Sequence, residues 1–281
     1  MTITVDLGGT KISVALVTDG TLQHRTVLAT PEERRPDAIV AVLTPLLQSL
    51  RAQGGSRIAV ATTGRVHGGR VTALNSSTMP GWTEFDFQRA LEVALGLPTL
   101  ILNDADAAAY AEAVIGAGQH LSDFLFMTVS TGIGAGLILK RQLFRSPSGL
   151  HADVGFMRSQ MGVPLEYLAG GRALDAWAKE HGHQDGARGL LLAADRPGVE
   201  AEYLNQVIQP LVTCLGDVRV LLGIDHLILG GSVGLNPVFR SALMKALQEQ
   251  PPLYRLELHA AALGADAGLY GAALYAEAGL E

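Results

Sequence analysis

The sequence predicts a duplicated α/β protein built from two similar halves. Each half opens with a short apolar strand, a glycine-rich bend and a second apolar strand. The first bend is Asp-Leu-Gly-Gly-Thr-Lys at 6–11, and the second is Ser-Thr-Gly-Ile-Gly-Ala-Gly at 130–136. A third glycine pair, Gly230-Gly231, follows another apolar run. Because glycine lets backbone N–H groups approach an anion that a Cβ would keep away, these bends indicate phosphate binding.

The first half follows the order three strands, helix, strand, helix, strand. We predict strands over 2–5, 11–17 and 22–28, a helix over 37–53 with leucines at helical spacing, and a strand over 57–61. A loop punctuated by glycines leads to a helix over 85–95 and a strand over 99–102. The strand at 11–17 and the next one are joined by an Asp19-Gly20 turn, which is typical of a hairpin.

The second half repeats the hairpin after a helix over 105–115. Its strands are predicted over 124–129 and 137–139, followed by an irregular and helical region over 147–197, a helix over 203–222 and a strand over 226–229. A helix rich in Ala and Gly over 263–277 is expected to pack on the first lobe. We therefore expect an N-terminal lobe of 1–104 plus 264–281, a C-terminal lobe of 105–263, and an interlobe cleft that holds a nucleotide triphosphate.

Two other phosphate-binding motifs do not fit the sequence. No stretch has the Walker ending Gly-Lys-Ser/Thr, and Leu137 stands where a dinucleotide fingerprint needs its third glycine. The bends also lead into strands, whereas the Rossmann turn opens a helix. Neither a P-loop enzyme nor a nicotinamide enzyme is favoured.

Composition narrows the class of protein further. The 281 residues are 48% hydrophobic and 5% aromatic, with a formal net charge of −6. This charge leaves no broad basic field for nucleic acid or an anionic membrane. The single cysteine, Cys214, cannot form an internal disulfide and is interpreted as a buried structural thiol. With no apolar run of about 18 residues and no basic leader, we expect a cytoplasmic protein.

The strand at 99–102 ends in Asn103-Asp104, immediately before an alanine-rich helix. Residues at the carboxyl ends of strands in open α/β sheets face the ligand crevice, which places Asp104 for chemistry. Both residue types are also favoured helix caps, so a capping role is the alternative.

Several motifs, taken in order along nearly the whole chain, resemble the ROK family (repressor, open reading frame, kinase) of the hexokinase–actin superfamily. They are 6–11, Thr131-Gly132-Ile133-Gly134, Asn103-Asp104, Ala73-Leu74-Asn75 and Leu229-Gly230-Gly231-Ser232. The resemblance implies an actin/hexokinase-like (ribonuclease H-like) fold, a homodimer, and phosphorylation of a hexose 6-hydroxyl by ATP. Several short sequence segments are most similar to those of ROK family members that act on the amino sugar N-acetylmannosamine.

The resemblance also implies roles for individual residues. Asp104 is the expected general base, and Asp6 is expected to hold Mg²⁺ through water. The expected phosphate and nucleotide contacts are Gly8, Gly9, Thr10, Lys11, Thr131, Gly132, Gly134, Gly230 and Gly231. The expected sugar contacts are Gly64, Arg65, Asn75, Asn103, Asp104, Asp153 and Glu166. For Arg65 and Asn75 the residues alone allow a solvated loop role equally well.

The sequence departs from the family at its structural zinc site. Phe156 stands where the zinc histidine is found, and Cys214 is the only cysteine, so a three-cysteine site is impossible. No zinc is expected. We interpret His151, His181 and His183 as surface or loop histidines, not as a replacement metal site.

Three alternatives to an N-acetylmannosamine kinase stay open on these residues. The first is a kinase for N-acetylglucosamine, glucose or another hexose, since Asp153 and Glu166 align across a deletion. The second is a non-catalytic sugar-binding paralogue, although Asp104 and both bends argue against it. The third is a sugar-responsive regulator, which is disfavoured because the first bend begins at Asp6 and leaves no room for a helix-turn-helix.

Overall fold

The computed structural model describes residues 1–75 and 79–279. The chain forms two compact units. Unit 1 comprises Met1–Val114, Leu143–His151 and Ala265–Glu281, and unit 2 comprises Ile115–Gln142 and Ala152–Gly264. The sequence division had placed the helix that follows Asp104, and the segment 143–151, in the second lobe.

Unit 1 contains a five-stranded sheet of order β3-β2-β1-β4-β8. Strands β1–β3 pair antiparallel, whereas β4 and β8 continue the sheet in parallel. The bounds are β1 Thr2–Leu7, β2 Lys11–Thr18, β3 Thr21–Ala29, α1 Pro36–Ala52, β4 Arg57–Thr62, β5 Arg65–His67, β6 Arg70–Thr72, β7 Phe85–Asp86, α2 Phe87–Leu95, β8 Thr99–Asn103 and α3 Asp104–Ile115. An apolar core that includes Ile3, Leu43 and Phe87 lies on the side of the sheet covered by α1 and α2.

Unit 2 contains a sheet of order β11-β10-β9-β12-β13. Strands β9 and β10 are antiparallel, and β12 and β13 extend the sheet in parallel from β9. The bounds are β9 Phe124–Val129, β10 Ile133–Leu139, β11 Gln142–Leu143, α4 Glu166–Ala169, α5 Gly171–Glu180, α6 Ala187–Ala193, α7 Val199–Leu222, β12 His226–Gly230, α8 Pro237–Gln248 and β13 Glu257–Ala260. Its core packs Leu125 and Leu227 of the sheet against Leu211 and Leu243 of the helices.

Helix α9, Ala267–Glu277, completes unit 1. It packs on β1 and β4, and Ala272 and Tyr275 share a small apolar cluster with Ala59 and Ala107. Gly271 is required by this packing, because a Cβ there would overlap the backbone carbonyl of Ala107 on α3. The expectation that this small-residue helix packs on the first half is confirmed.

The duplication predicted from the repeated bends is also confirmed. Both five-stranded sheets have the same order: when the strands of each sheet are counted along the chain, the third, second and first are followed by the fourth and fifth. In each unit the glycine-rich bend joins the first two strands, at residues 8–10 and 130–132. Two similar sequences therefore specify two copies of one topology.

Local chemistry sets the ends of several helices. Asp86 caps α2 by accepting a hydrogen bond from the Arg89 N–H at 3.1 Å, and Gly96 ends that helix with a φ of 62°. Asn236 caps α8 in the same way through Val238. Within the described residues, no helix is long and apolar enough to cross a membrane.

The structure corrects the predicted secondary structure in the loop after β4 and near residue 257. The expected loop contains the small sheet β5-β6-β7, and α8 and β13 were absent from the prediction. The helices predicted over 85–95 and 203–222 have different starting points in the structure, since α2 begins at Phe87 and α7 at Val199.

Candidate active site

The first bend lies at the end of β1 and is held by its own backbone. The Gly8 N–H donates to the Lys11 carbonyl at 3.0 Å, which closes the turn. The Thr30 hydroxyl donates to the Gly8 carbonyl at 2.8 Å, and the Thr30 N–H donates to the Thr10 carbonyl at 3.1 Å. The carbonyls of the bend are thereby engaged from the β3 side, which fixes the shape of the bend.

Gly9 in this bend is not required by the protein's own packing. A Cβ built on Gly9 meets no atom within 4 Å, and its φ is not in the left-handed region. By contrast, Gly20 in the next turn has a φ of 73° and is required by its backbone conformation. A glycine with open space beside it suits the close approach of a group from outside the chain, such as a phosphate.

Asp6 and Asp104 form a pair of carboxylates at the ends of β1 and β8. The pKa of Asp6 is raised from 3.8 to about 7, first by burial and then by the negative charge of Asp104. Lys11 and Arg25 act in the opposite direction. Gly268 of α9 leaves room for Asp6, because a Cβ there would lie 3.1–3.3 Å from the carboxylate atoms. A bound cation would offset the unfavourable burial of the Asp6 charge and its repulsion by Asp104. The carboxylate oxygens are donors that suit Mg²⁺.

Asn103 caps α3 and also ties it to the neighbouring loop. Its Oδ1 accepts from the N–H groups of Ala105 and Asp106 at 2.9 and 3.2 Å. Its Nδ2 donates to the Gly64 carbonyl at 3.0 Å. The Asp104 carboxylate accepts from the Ala105 N–H at 2.9 Å. The cap is thus made mainly by Asn103, while Asp104 is oriented at the first turn of the helix.

The remaining predicted sugar contacts of unit 1 lie on the β5–β7 side. Gly64 has a φ of 100°, and a Cβ there would lie 2.8 Å from the Thr72 carbonyl. Arg65 forms an ion pair with Glu84 at 2.5 Å, and the Thr72 hydroxyl donates to the same carboxylate at 2.8 Å. These two contacts hold the pKa of Glu84 below its usual value. Asn75 is half-buried.

The second bend, in unit 2, is filled by a side chain of the protein itself. The Ile133 N–H donates to the Glu166 carboxylate at 3.0 Å, and a Cβ on Gly132 would overlap that carboxylate. The Gly171 N–H donates to the Ser130 carbonyl at 2.8 Å, and the Arg172 N–H donates to the Thr131 carbonyl at 3.0 Å. Helices α4 and α5 therefore hold this bend directly.

The third bend folds back onto the end of β9. The Val129 carbonyl accepts from the N–H groups of Val233 and Gly234, both at 3.0 Å. Gly231 has a φ of 85°, and a Cβ there would lie 2.6 Å from the Thr128 hydroxyl oxygen and would overlap the Val129 carbonyl. Both the backbone conformation and the packing therefore require glycine at this position.

Asp153 begins a single 3₁₀ turn at Val154–Phe156, where the Phe156 N–H donates to the Asp153 carbonyl at 3.0 Å.

Cys214 is buried on α7, as expected, with its Sγ 3.3 Å from the Met157 sulfur. Burial raises the pKa of the Cys214 thiol to about 11, so the thiol stays protonated and is a poor metal ligand or nucleophile at neutral pH.

His151 lies in an irregular segment, as the sequence predicts, but it is not at the surface. Its side chain is only 7% exposed, and its Nε2 lies 3.6 Å from the carboxylate of the buried Asp106. Its Nδ1 accepts from the Ser146 N–H at 3.1 Å. His183 pairs with Glu200 at 3.1 Å, and His181 stacks on Trp177. The contact between His151 and α3 joins segments 45 positions apart, which sequence spacing alone does not reveal.

Comparison with known proteins assigns the chain to a family. The ROK family matches residues 2–278. An N-acetylmannosamine kinase from Salmonella typhi is 33% identical over 287 residues, which cover 98% of this chain and 98% of that protein. A crystal structure of a ROK hexokinase from Thermus thermophilus superimposes with a TM-score of 0.78 at 31% identity and covers 99% of both chains. A ROK glucokinase from Streptomyces griseus, in complex with glucose and AMPPNP, has a TM-score of 0.80 at 28% identity and covers 97% of both chains.

The chain therefore belongs to the ROK family, and sugar kinases of that family are similar to it over nearly its full length. The expected actin/hexokinase-like fold is confirmed by these structural neighbours and by the repeated sheet topology.

Proposed function

We propose that the chain is an ATP-dependent N-acetylmannosamine kinase, which forms N-acetylmannosamine 6-phosphate and ADP. The observation that carries this proposal is the carboxylate pair Asp6 and Asp104, placed beside a glycine bend with open space at Gly9. The choice of sugar is supported by the 33% identity, over nearly the whole chain, to a kinase named for that substrate.

Asp104 is the general base in this proposal. Its carboxylate accepts the proton of the 6-hydroxyl while the sugar oxygen forms a bond to the γ-phosphorus and the bond to the ADP oxygen breaks. The hydrogen bond from Ala105 and the Asn103 cap hold the carboxylate at the start of α3. Positioning of this kind is a large part of catalysis in phosphoryl transfer, where the protein forms no covalent bond.

We propose that ATP and its Mg²⁺ bind to Asp6 and the glycine bends. Gly8 to Lys11 would contact the phosphates of ATP, with Thr131, Gly132, Gly134, Gly230 and Gly231 as further nucleotide contacts. Asp6 would hold Mg²⁺, which would neutralise charge on the phosphates of ATP. Binding of a cation would also lower the pKa of Asp6, which burial and Asp104 raise in the ligand-free protein.

The residues proposed to contact the hydroxyl and amide groups of the sugar are Gly64, Arg65, Asn75, Asn103, Asp153 and Glu166. The Asn103 amide has two N–H groups, of which one donates to Gly64. Glu166 contacts the Gly132 bend, so a sugar contact by Glu166 would use its other oxygen or require it to move. We also propose that the family zinc is not needed here, since Cys214 is the only cysteine.

The test is ADP release with ATP and Mg²⁺ across N-acetylmannosamine, N-acetylglucosamine, glucose and mannose. We expect N-acetylmannosamine to have the highest kcat/KM. Asp104→Asn should lose at least about 100-fold in kcat, because a positioned general base contributes that much or more. Asp37→Asn, which alters an exposed aspartate in the first turn of α1, is the matched control and should keep full activity.

A glucose kinase is the second candidate, because a glucokinase bound to glucose and AMPPNP is 28% identical over 97% of this chain. A higher kcat/KM for glucose than for N-acetylmannosamine in the same assay would support the glucose kinase. Absence of turnover on every sugar, with unaltered folding by circular dichroism, would instead favour a non-catalytic sugar-binding protein. Cytoplasmic location and a homodimer stay predictions.

A further inference from the structure

Two histidines and a glutamate meet on one face of the strand pair β12 and β13 in unit 2. In the parallel register His226 lies opposite Glu257, and Ile228 lies opposite His259. Because side chains alternate along a strand, Glu257 and His259 point to the same side. Leu227 and Leu258, at the intervening positions, pack into the apolar core on the other side. The register therefore brings three potential metal ligands together.

The distances among the ligand atoms match a tetrahedral metal site. Nδ1 of His226 lies 3.2 Å from Nε2 of His259. Oε2 of Glu257 lies 3.6 Å from the His226 nitrogen, and Oε1 of the same carboxylate lies 3.6 Å from the His259 nitrogen. For metal–ligand bonds of about 2.0–2.1 Å, donor atoms of a tetrahedral site are about 3.3 Å apart, whereas octahedral neighbours are about 3.0 Å apart. The observed separations favour the tetrahedral arrangement.

The ligand chemistry selects the same kind of ion. Two imidazole nitrogens and one carboxylate oxygen form a set that Zn²⁺ binds well, with a fourth position left for water. The His226 and His259 side chains are 28% and 29% exposed, and that of Glu257 is 68% exposed, so an ion can enter from solvent. Without an ion, two ring nitrogens 3.2 Å apart can share only one proton between them.

We propose that His226, Glu257 and His259 form a zinc-binding site that ties strand β13 to β12. Strand β13 is a four-residue strand at the end of its sheet, where few backbone hydrogen bonds secure it. Two backbone hydrogen bonds hold the ends of this segment, from the Glu257 N–H to the Asp225 carbonyl and from the Ala261 N–H to the Leu229 carbonyl, both at 2.9 Å. A metal bridge adds a cross-strand link independent of these bonds.

This site is separate from the zinc site of the family resemblance. The sequence expectation of no zinc concerned the region around Phe156 and its missing cysteines. Among the described residues, the group of His226, Glu257 and His259 is the cluster whose three ligand atoms lie within 4.8 Å of one another. The role inferred is structural, and it does not depend on which sugar the protein phosphorylates.

The test uses the full-length protein after treatment with a chelator. Zn²⁺ is titrated in competition with a chromophoric chelator, and we expect one ion per chain. Co²⁺ should give the intense visible absorption of a tetrahedral site. His226→Ala and His259→Ala should each weaken Zn²⁺ binding by more than about 100-fold, because even changes outside the ligand set cost about 10–100-fold. Zn²⁺ should also raise the melting temperature of the wild type.

His120→Ala is the matched control, since His120 is exposed in the same unit and outside the cluster. It should bind Zn²⁺ as tightly as the wild type. The proposal is overturned if the wild type binds Zn²⁺ no more tightly than the His226→Ala/His259→Ala double variant, or if Co²⁺ gives only the weak spectrum of an octahedral ion. Far-UV circular dichroism checks that each variant is folded. None of these readouts is kinase activity.

Discussion

The glycine bends of the two units look alike in sequence but need their glycines for different reasons. In unit 1 a Cβ on Gly9 would enter open space. In unit 2 a Cβ on Gly132 would overlap Glu166, and one on Gly231 would overlap the Val129 carbonyl. A glycine that the fold does not require points to a ligand, whereas a glycine that the fold does require is explained by packing.

The acidic groups beside the bends differ as well. Unit 1 has Asp6 near the end of its first strand, whereas the bend of unit 2 begins with the uncharged Ser130. Unit 2 instead brings Glu166 from α4 onto its bend, where the carboxylate accepts a backbone hydrogen bond. One topology therefore carries an electrostatically unfavourable carboxylate in unit 1 and a hydrogen-bonded carboxylate in unit 2. This difference leads us to assign the chemistry to unit 1.

The largest effect is expected from Gly231→Ala. The left-handed φ of 85° costs about 1–3 kcal/mol for alanine, and overlap with the Val129 carbonyl adds a similar amount. We expect the free energy of unfolding to fall by about 4 kcal/mol, measured by urea denaturation. A loss below about 1 kcal/mol would mean that the third bend can shift, and the contrast with unit 1 would fail.

Asp6 should make the stability of the ligand-free protein depend on pH. Its folded pKa of about 7 lies above the ordinary 3.8, so between these values the folded state holds a proton that the unfolded state has lost. Stability therefore falls as pH rises from about 4 to about 7. Discounted for partial exposure, we expect roughly 2 kcal/mol from this group.

The measurement is urea unfolding of wild type and Asp6→Asn at pH 5 and pH 8. Asp6→Asn cannot ionise, so the loss between the two pH values should be smaller in the variant by that amount. Asp37→Asn, an exposed aspartate, serves as the control and should follow the wild type. Parallel pH curves for Asp6→Asn and wild type would show that Asp6 titrates normally.

The smallest effect on stability is expected from Gly9→Ala. This variant tests directly whether the bend of unit 1, unlike that of unit 2, has a glycine that the fold does not require. Since its Cβ meets no atom of the protein, the free energy of unfolding should change by less than about 0.5 kcal/mol. If the bend holds phosphate, kcat/KM for ATP should fall about tenfold or more, because small displacements of reacting groups are costly. Unchanged kinetics with ATP would remove the bend from the proposed nucleotide site.

Much of the fold could be predicted because the chain repeats its own pattern. The bends at 8–10 and 130–132 follow apolar strands, and both sheets have the predicted hairpin at their start. The sequence analysis predicts a loop where the structure has the small β5–β6 hairpin, although Gly68-Gly69 between two three-residue alternations is a hairpin signal. Strand β13 is not predicted because its four residues, Glu257–Ala260, are at the lower limit of length for which alternation indicates a strand.

The candidate site was less predictable than the fold. Asn103 and Asp104 could be placed at the end of β8, but only the hydrogen bonds show that Asn103 is the main cap. Neither the contact of Glu166 with Ile133 nor that of His151 with Asp106 follows from spacing, because each depends on how distant segments pack. The alternation of Glu257 and His259 would have indicated a shared face once their strand was recognised.

Helix α9 gives unit 1 an unusual order of assembly. The Thr2 hydroxyl donates to the Glu277 carboxylate, 275 positions away, and Gly268 lies against Asp6. Contacts that span so much chain form late, because a long loop must close before they stabilise anything. During synthesis on the ribosome, therefore, β1 and Asp6 are made long before α9 and lack their contacts with it until that helix has been synthesised. The carboxylate at the start of the chain gains its native surroundings only after nearly all of unit 2 has been made.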